Sequence, residues 1–64
     1  GKVVFDILID DQGLVRQEKV IEGEEIFRSE AIKAIRKFRF RPAKVDGKPV
    51  AVRVRYTLNF KLEY

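Results

Sequence analysis

The sequence predicts an α+β fold, a two-layer ββαβ sandwich. A three-stranded antiparallel sheet carries one helix packed on one face and ends in a long C-terminal edge strand. Three patterns point there. Apolar residues alternate through residues 3–10, and again without a break through residues 50–64, the period of half-buried strands. Between them Phe27, Ala31, Ala34, Ile35 and Phe38 fall on one helical stripe. A hairpin, a helix laid across it and a returning strand bury one shared hydrophobic layer.

Strand one is expected over Val3 to Asp10. Val3, Phe5, Ile7 and Ile9 share one face, and Val4 and Leu8 add apolar groups to the other, which suits a central strand. Asp10-Asp11-Gln12-Gly13 is turn chemistry, with Gly13 free to take positive φ. Strand two, Leu14 to Glu22, has apolar pairs Leu14/Val15 and Val20/Ile21 around a polar centre, Arg16-Gln17-Glu18-Lys19. Neither parity fits throughout, so a bulge or an edge strand is expected. The helix is expected from Glu24 to Phe38. Glu24 and Glu25 sit at its positive end and Lys33, Arg36 and Lys37 toward its negative end, as the helix dipole favours. Ala31 and Ala34 allow close approach to the sheet. Only Ser29 offers a good cap, which leaves the start of the helix weakly specified. Pro42 stops it, and Asp46-Gly47 marks a turn.

Strand three then runs from Val50 to Tyr64. Val50, Val52, Val54, Tyr56, Leu58, Phe60, Leu62 and Tyr64 point one way, and Ala51, Arg53, Arg55, Thr57, Asn59, Lys61 and Glu63 the other. Fully extended, it spans roughly 50 Å, while a round domain of this length is only about 20–25 Å across. Strand one pairs with about eight residues of it, so up to half of strand three is expected to lack a partner within the monomer.

The 64 residues read as a single domain, 1–64. A domain this small buries about 60 % of its unfolded surface and gains from any added contact, oligomerisation included. There is no cysteine and no histidine, hence no disulfide and no Cys/His metal site. The hydroxyls of Ser29 and Thr57 have no histidine to activate them, so no catalytic residue is assigned. Asp6, Asp10 and Asp11 lack cation-loop spacing, and the isolated glycines form no phosphate loop. No metal and no cofactor is expected. No apolar run is long enough to cross a bilayer, and no signal-peptide pattern is present. With no methionine in the chain, Gly1 is read as an internal position of a longer protein.

The net charge of +4 is unevenly spread: residues 1–30 hold four basic and eight acidic side chains, residues 31–64 ten basic and two acidic. A basic half suits an anionic partner such as nucleic acid, phospholipid or an acidic peptide. Base stacking needs exposed aromatics beside the cations. Here Tyr56, Phe60 and Tyr64 share the face the helix must cover, while Arg53, Arg55 and Lys61 lie opposite, so no specific nucleic-acid partner is expected. The edge of strand three is the stronger feature. Arg53, Val54, Arg55, Tyr56, Thr57, Leu58, Asn59, Phe60 and Lys61 are the candidate partner-binding residues, through main-chain bonds to an added strand.

These residues resemble the C-terminal domain of TonB-family energy transducers. The resemblance starts at Gly1-Lys2-Val3-Val4-Phe5 and runs through Ile9-Asp10, Gly13, Val15, Val20, Phe27, Ala31-Ile32 and Ala34-Ile35. Its specific part is Phe38-Arg39-Phe40-Arg41-Pro42-Ala43 followed by Asp46-Gly47-Lys48-Pro49-Val50; Val52 and Phe60-Lys61-Leu62 close it. It implies a periplasmic domain, tethered to the inner membrane by an N-terminal helix and a proline-rich linker and driven by an ExbB/ExbD-type motor. The implied partner is an outer-membrane TonB-dependent receptor, whose short TonB box pairs with the last strand, here roughly Arg53 to Lys61, to energise uptake of siderophores or vitamins. It also implies a homodimer by strand pairing or exchange. Phe38 stands where family members often carry Trp, and Glu18 where an apolar residue is common.

Overall fold

The computed structural model describes residues 1–61. The elements are β1 (Lys2–Ile9), β2 (Val15–Gly23), α1 (Glu25–Lys37), β3 (Ala43–Val45), β4 (Lys48–Val50) and β5 (Val52–Asn59). β2, β1 and β5 form an antiparallel sheet in the order β2-β1-β5, and β3 and β4 form a separate two-stranded ribbon. The α+β sandwich holds, with β1 central and β5 at an edge. The ribbon adds two short strands outside the expected three-stranded sheet.

The core lies between the sheet and α1. Val3, Phe5 and Ile7 of β1 and Ala31 and Ile35 of α1 are fully buried, with Ile9 and Phe27 beside them. Burying each larger side chain stabilises the fold by about 1.5–3 kcal/mol. The fully buried Ala31 is where helix and sheet approach closely. α1 begins one residue later and ends one residue earlier than expected. Glu24 is its N-cap without a side-chain cap, and Phe38 leaves in extended geometry while its N–H still bonds to the Ile35 carbonyl.

Two bulges resolve the mixed parity of β2. Val4 pairs with Glu22 and Phe5 with Val20, leaving Ile21 unmatched; Leu8 pairs with Gln17 and Ile9 with Val15, leaving Arg16 unmatched. Each extra residue flips the alternation, so Val15 and Val20 both reach the core although five positions apart. The β1–β2 turn is held by Asp10, whose Oδ1 accepts the N–H of Gln12 at 2.8 Å and of Leu14 at 2.9 Å. Arg16 Nε reaches its Oδ2 at 2.6 Å. The Leu14 hydrogen bond, with Arg16 and the Gln12 N–H adding to it, holds the Asp10 carboxyl below the usual aspartate value. Gly13 takes φ 83° as expected.

The molecule is elongated, 47 × 20 × 14 Å, with a radius of gyration of 13.0 Å against about 11 Å for a round domain of this length. The round-domain expectation is therefore corrected, and with it, among the described residues, the surplus of strand three. β5 is eight residues long and paired with β1 from Val52 to Asn59. The preceding residues, Lys48–Val50, turn back on Ala43–Val45 through Asp46 (φ 51°) and Gly47 (φ 78°). Two successive positive φ values make the tight hairpin turn that Asp-Gly favours. The expected continuation of strand three over Leu62, Glu63 and Tyr64 lies outside the described residues.

Candidate functional site: the outer edge of β5

Every candidate residue from Arg53 to Asn59 lies on β5, with Phe60 and Lys61 following it. Gly1 and Phe60 exchange two hydrogen bonds: the Gly1 amine donates to the Phe60 carbonyl at 2.9 Å, and the Phe60 N–H donates to the Gly1 carbonyl at 2.7 Å. In an antiparallel ladder such pairs alternate with pairs that exchange none. With Val3 opposite Leu58, Phe5 opposite Tyr56, Ile7 opposite Val54 and Ile9 opposite Val52, these even-numbered residues direct their backbone groups to β1. Arg53, Arg55, Thr57 and Asn59 direct their N–H and C=O groups outward. Among the described residues no strand pairs with that side.

The side chains divide by the same parity. Val54, Tyr56, Leu58 and Phe60 are half-buried against the core, and Arg53, Arg55, Thr57 and Asn59 are exposed. The strand is anchored by aromatics at its middle and just past its C-terminal end. Phe60 stacks on Phe27 at 5.5 Å, and Tyr56 meets Phe38 and Phe40 edge-on at 5.7 and 5.5 Å. The Phe38-Arg39-Phe40 segment thus places both its aromatics against β5. Phe40 also donates its N–H to Gly13, and Arg39 bridges to Leu14. This segment ties the start of β2 to the core that supports β5.

The sheet has two edges, and they differ. The β2 edge is broken by bulges at Arg16 and Ile21 and occupied at its start by the Arg39 bridge. Bulges and covered ends deter pairing. β5 keeps one unbroken register over eight residues, so a further strand can continue the sheet only there without first repairing the ladder.

Sequence reasoning missed the local ties of one cation. Arg53 reaches across β1 and donates from Nη2 to Gln17 Oε1 at 3.0 Å, with Nη1 3.7 Å from Asp6 Oδ2. Arg53 is therefore engaged within the sheet, whereas Arg55 has no carboxylate within salt-bridge distance among the described residues. The signal was in the register, since Arg53 stands opposite Leu8, which stands opposite Gln17. That register emerges only once the strand order is known. Among the described residues no group of acidic side chains is placed to hold a metal.

The family model for the Gram-negative bacterial TonB protein C-terminal matches residues 1–62. The chain belongs to this family. A protein named TonB from Vibrio cholerae is 35% identical over 65 residues, an alignment covering 98% of this chain. The chain spans 27% of the length of that relative. The TonB C-terminal match runs through every described strand and the helix, and so includes the whole of the β5 edge.

Proposed function

We propose that this chain is the receptor-coupling domain of a TonB-type energy transducer. It is a periplasmic binding module without catalysis of its own, one domain of a longer protein anchored in the inner membrane. Its outer edge on β5 captures the TonB box of an outer-membrane receptor as an added strand. A motor of the ExbB/ExbD type acts through the N-terminal part of the whole protein, and pulling on the captured segment opens the receptor to siderophores or vitamins. The unbroken outward row of backbone groups at Arg53, Arg55, Thr57 and Asn59, on the edge without bulges, is the observation that carries this reading.

Four outward residues offer eight backbone groups to a partner. If about five or six bonds form at roughly 0.5–1.5 kcal/mol each, and association costs several kcal/mol, an affinity of micromolar or weaker is expected. The test is an NMR titration with extended receptor-box peptides on a domain shown to be monomeric by light scattering. Amide shifts concentrated at Arg53–Lys61 are expected. Absence of binding with several box peptides overturns the receptor-coupling reading.

A second reading uses the same edge. An unpaired antiparallel strand accepts a second copy of itself, so the domain would serve homodimerisation, or contacts in the envelope unrelated to nutrient uptake. A concentration-dependent dimer that peptide does not dissociate favours it.

A further inference from the structure

The β3–β4 ribbon has no role in the core. It pairs with neither edge of the main sheet, and β3 carries the exposed Val45. Its charge is one-sided. Residues 36–48 contain six basic side chains and one acidic one. Of the six, only Arg36 has a carboxylate within salt-bridge distance among the described residues. Arg41, Lys44 and Lys48 are exposed and without such a partner.

The position of the ribbon gives these charges a use. β4 leads into β5 through the single residue Ala51. In a hairpin with two turn residues, Val45 and Lys48 form a hydrogen-bonded pair, and so do Ala43 and Val50. In β4, as in β5, the even-numbered residues therefore bond inward and the odd-numbered ones face out. Pro49 is one of the outward positions and has no N–H to donate. An incoming strand that has paired along Asn59, Thr57, Arg55 and Arg53 consequently loses its ladder at Pro49, in the neighbourhood of Lys44, its cross-strand partner, and Lys48.

We propose that the β3–β4 ribbon is a second recognition element, which receives an acidic flank of the peptide captured on β5. The inference rests on the receptor-coupling reading and adds a polarity to it. The captured segment carries carboxylates at the end that lies over Pro49, and Lys44 and Lys48, with Arg41 near the base of the ribbon, supply the complementary charge.

The experiment compares three peptides with one receptor-box core: one flanked by three glutamates on its N-terminal side, one on its C-terminal side, and one flanked by glycine and serine. Affinities are measured by fluorescence anisotropy at low salt. One acidic peptide, and not the other, binds about fivefold tighter than the neutral one, the scale of two or three exposed ion pairs. The side that gains reports the orientation of the added strand. The gain shrinks toward unity at about 0.5 M salt. It disappears in the double variant Lys44→Ala/Lys48→Ala and passes to a lysine-flanked peptide in Lys44→Glu/Lys48→Glu. Both lysines are exposed, and circular dichroism checks that the fold is kept.

Equal binding of all three peptides overturns this inference and leaves the receptor-coupling reading standing. So does a gain that survives both double variants. No binding of any peptide to a confirmed monomer overturns both. If the peptides bind equally while the protein sediments with anionic phosphatidylglycerol vesicles through Lys44 and Lys48, the ribbon serves a lipid surface and the inference is overturned.

Discussion

Glu18 of β2 and Arg36 of the last helical turn are joined by a two-nitrogen contact, Arg36 Nε at 2.7 Å and Nη2 at 2.6 Å from Glu18 Oε1. Glu18 pairs with Ile7 across the strands, so it stands on the helix side of the sheet. The ion pair ties the end of α1 to β2. Its arginine is 65% exposed, so the coupling is modest. A double-mutant cycle with Glu18→Ala and Arg36→Ala should give about 0.5–1 kcal/mol, falling with salt. Glu18→Leu should unfold at the same denaturant concentration as the parent or a higher one. A loss above about 2 kcal/mol in Glu18→Leu would show that the carboxylate is required rather than replaceable.

Backbone direction on β5 separates two proline substitutions. Thr57 faces out, so Thr57→Pro removes an edge donor and should weaken peptide capture while the domain stays folded. Val54 donates toward β1 by the same parity, so Val54→Pro breaks the sheet itself, at a cost of roughly 3 kcal/mol or more. Circular dichroism and peptide titration on the two variants give opposite results if the edge is oriented as described. Unfolding of both would contradict it.

Gly13 and Gly47 both have positive φ but differ in surroundings. A Cβ on Gly13 would sit 1.9 Å from the Phe40 carbonyl oxygen, and one on Gly47 would meet nothing within 4 Å. Gly47→Ala should therefore cost only the conformational penalty, about 1 kcal/mol. Gly13→Ala must also displace the Phe38–Phe40 segment and should destabilise clearly more. Thermal melts of the pair test this, and equal losses would show that the backbone contact is slack.

Ile35 is fully buried beside Phe5 and Ile7. Truncation to alanine should cost about 2–5 kcal/mol, which rivals the whole stability of a domain this small. Ile35→Ala is expected to be largely unfolded at 25 °C by circular dichroism. By contrast Ile26→Ala, at a residue 72% exposed, should change stability by less than about 0.5 kcal/mol.

Asp10 links stability to acid. Its carboxyl titrates below its ordinary value in the fold, so the native state binds its proton less readily than the unfolded chain does. The resulting stabilisation is complete above the unfolded value of about 3.9 and is lost as pH falls through the lowered native value. Asp10→Asn removes this contribution, so its stability should fall less steeply than the parent's below about pH 4. Parallel acid limbs for parent and variant in urea titrations would refute the assignment.

Local pattern determined much of this protein. Period-two runs marked β1 and β5, the stripe Phe27–Ala31–Ile35 marked α1, and the broken parity of β2 announced its bulges. In each case the signal is a short-range periodicity tied to one buried face. Asp46-Gly47 also carried the sign of a two-residue hairpin, although the strict alternation from Val50 onward hid it. The alternation crosses Ala51 without interruption, while the pairing partner changes there from β3 to β1. Which partner a backbone group meets is a long-range property that composition does not encode. For that reason the elongated shape, the engagement of Arg53 by Gln17 and Asp6, and the Glu18–Arg36 pair emerged only from the assembled fold. The same holds for the edge of β5: alternation showed which side chains share a face, but the register with β1 decided which amides face solvent.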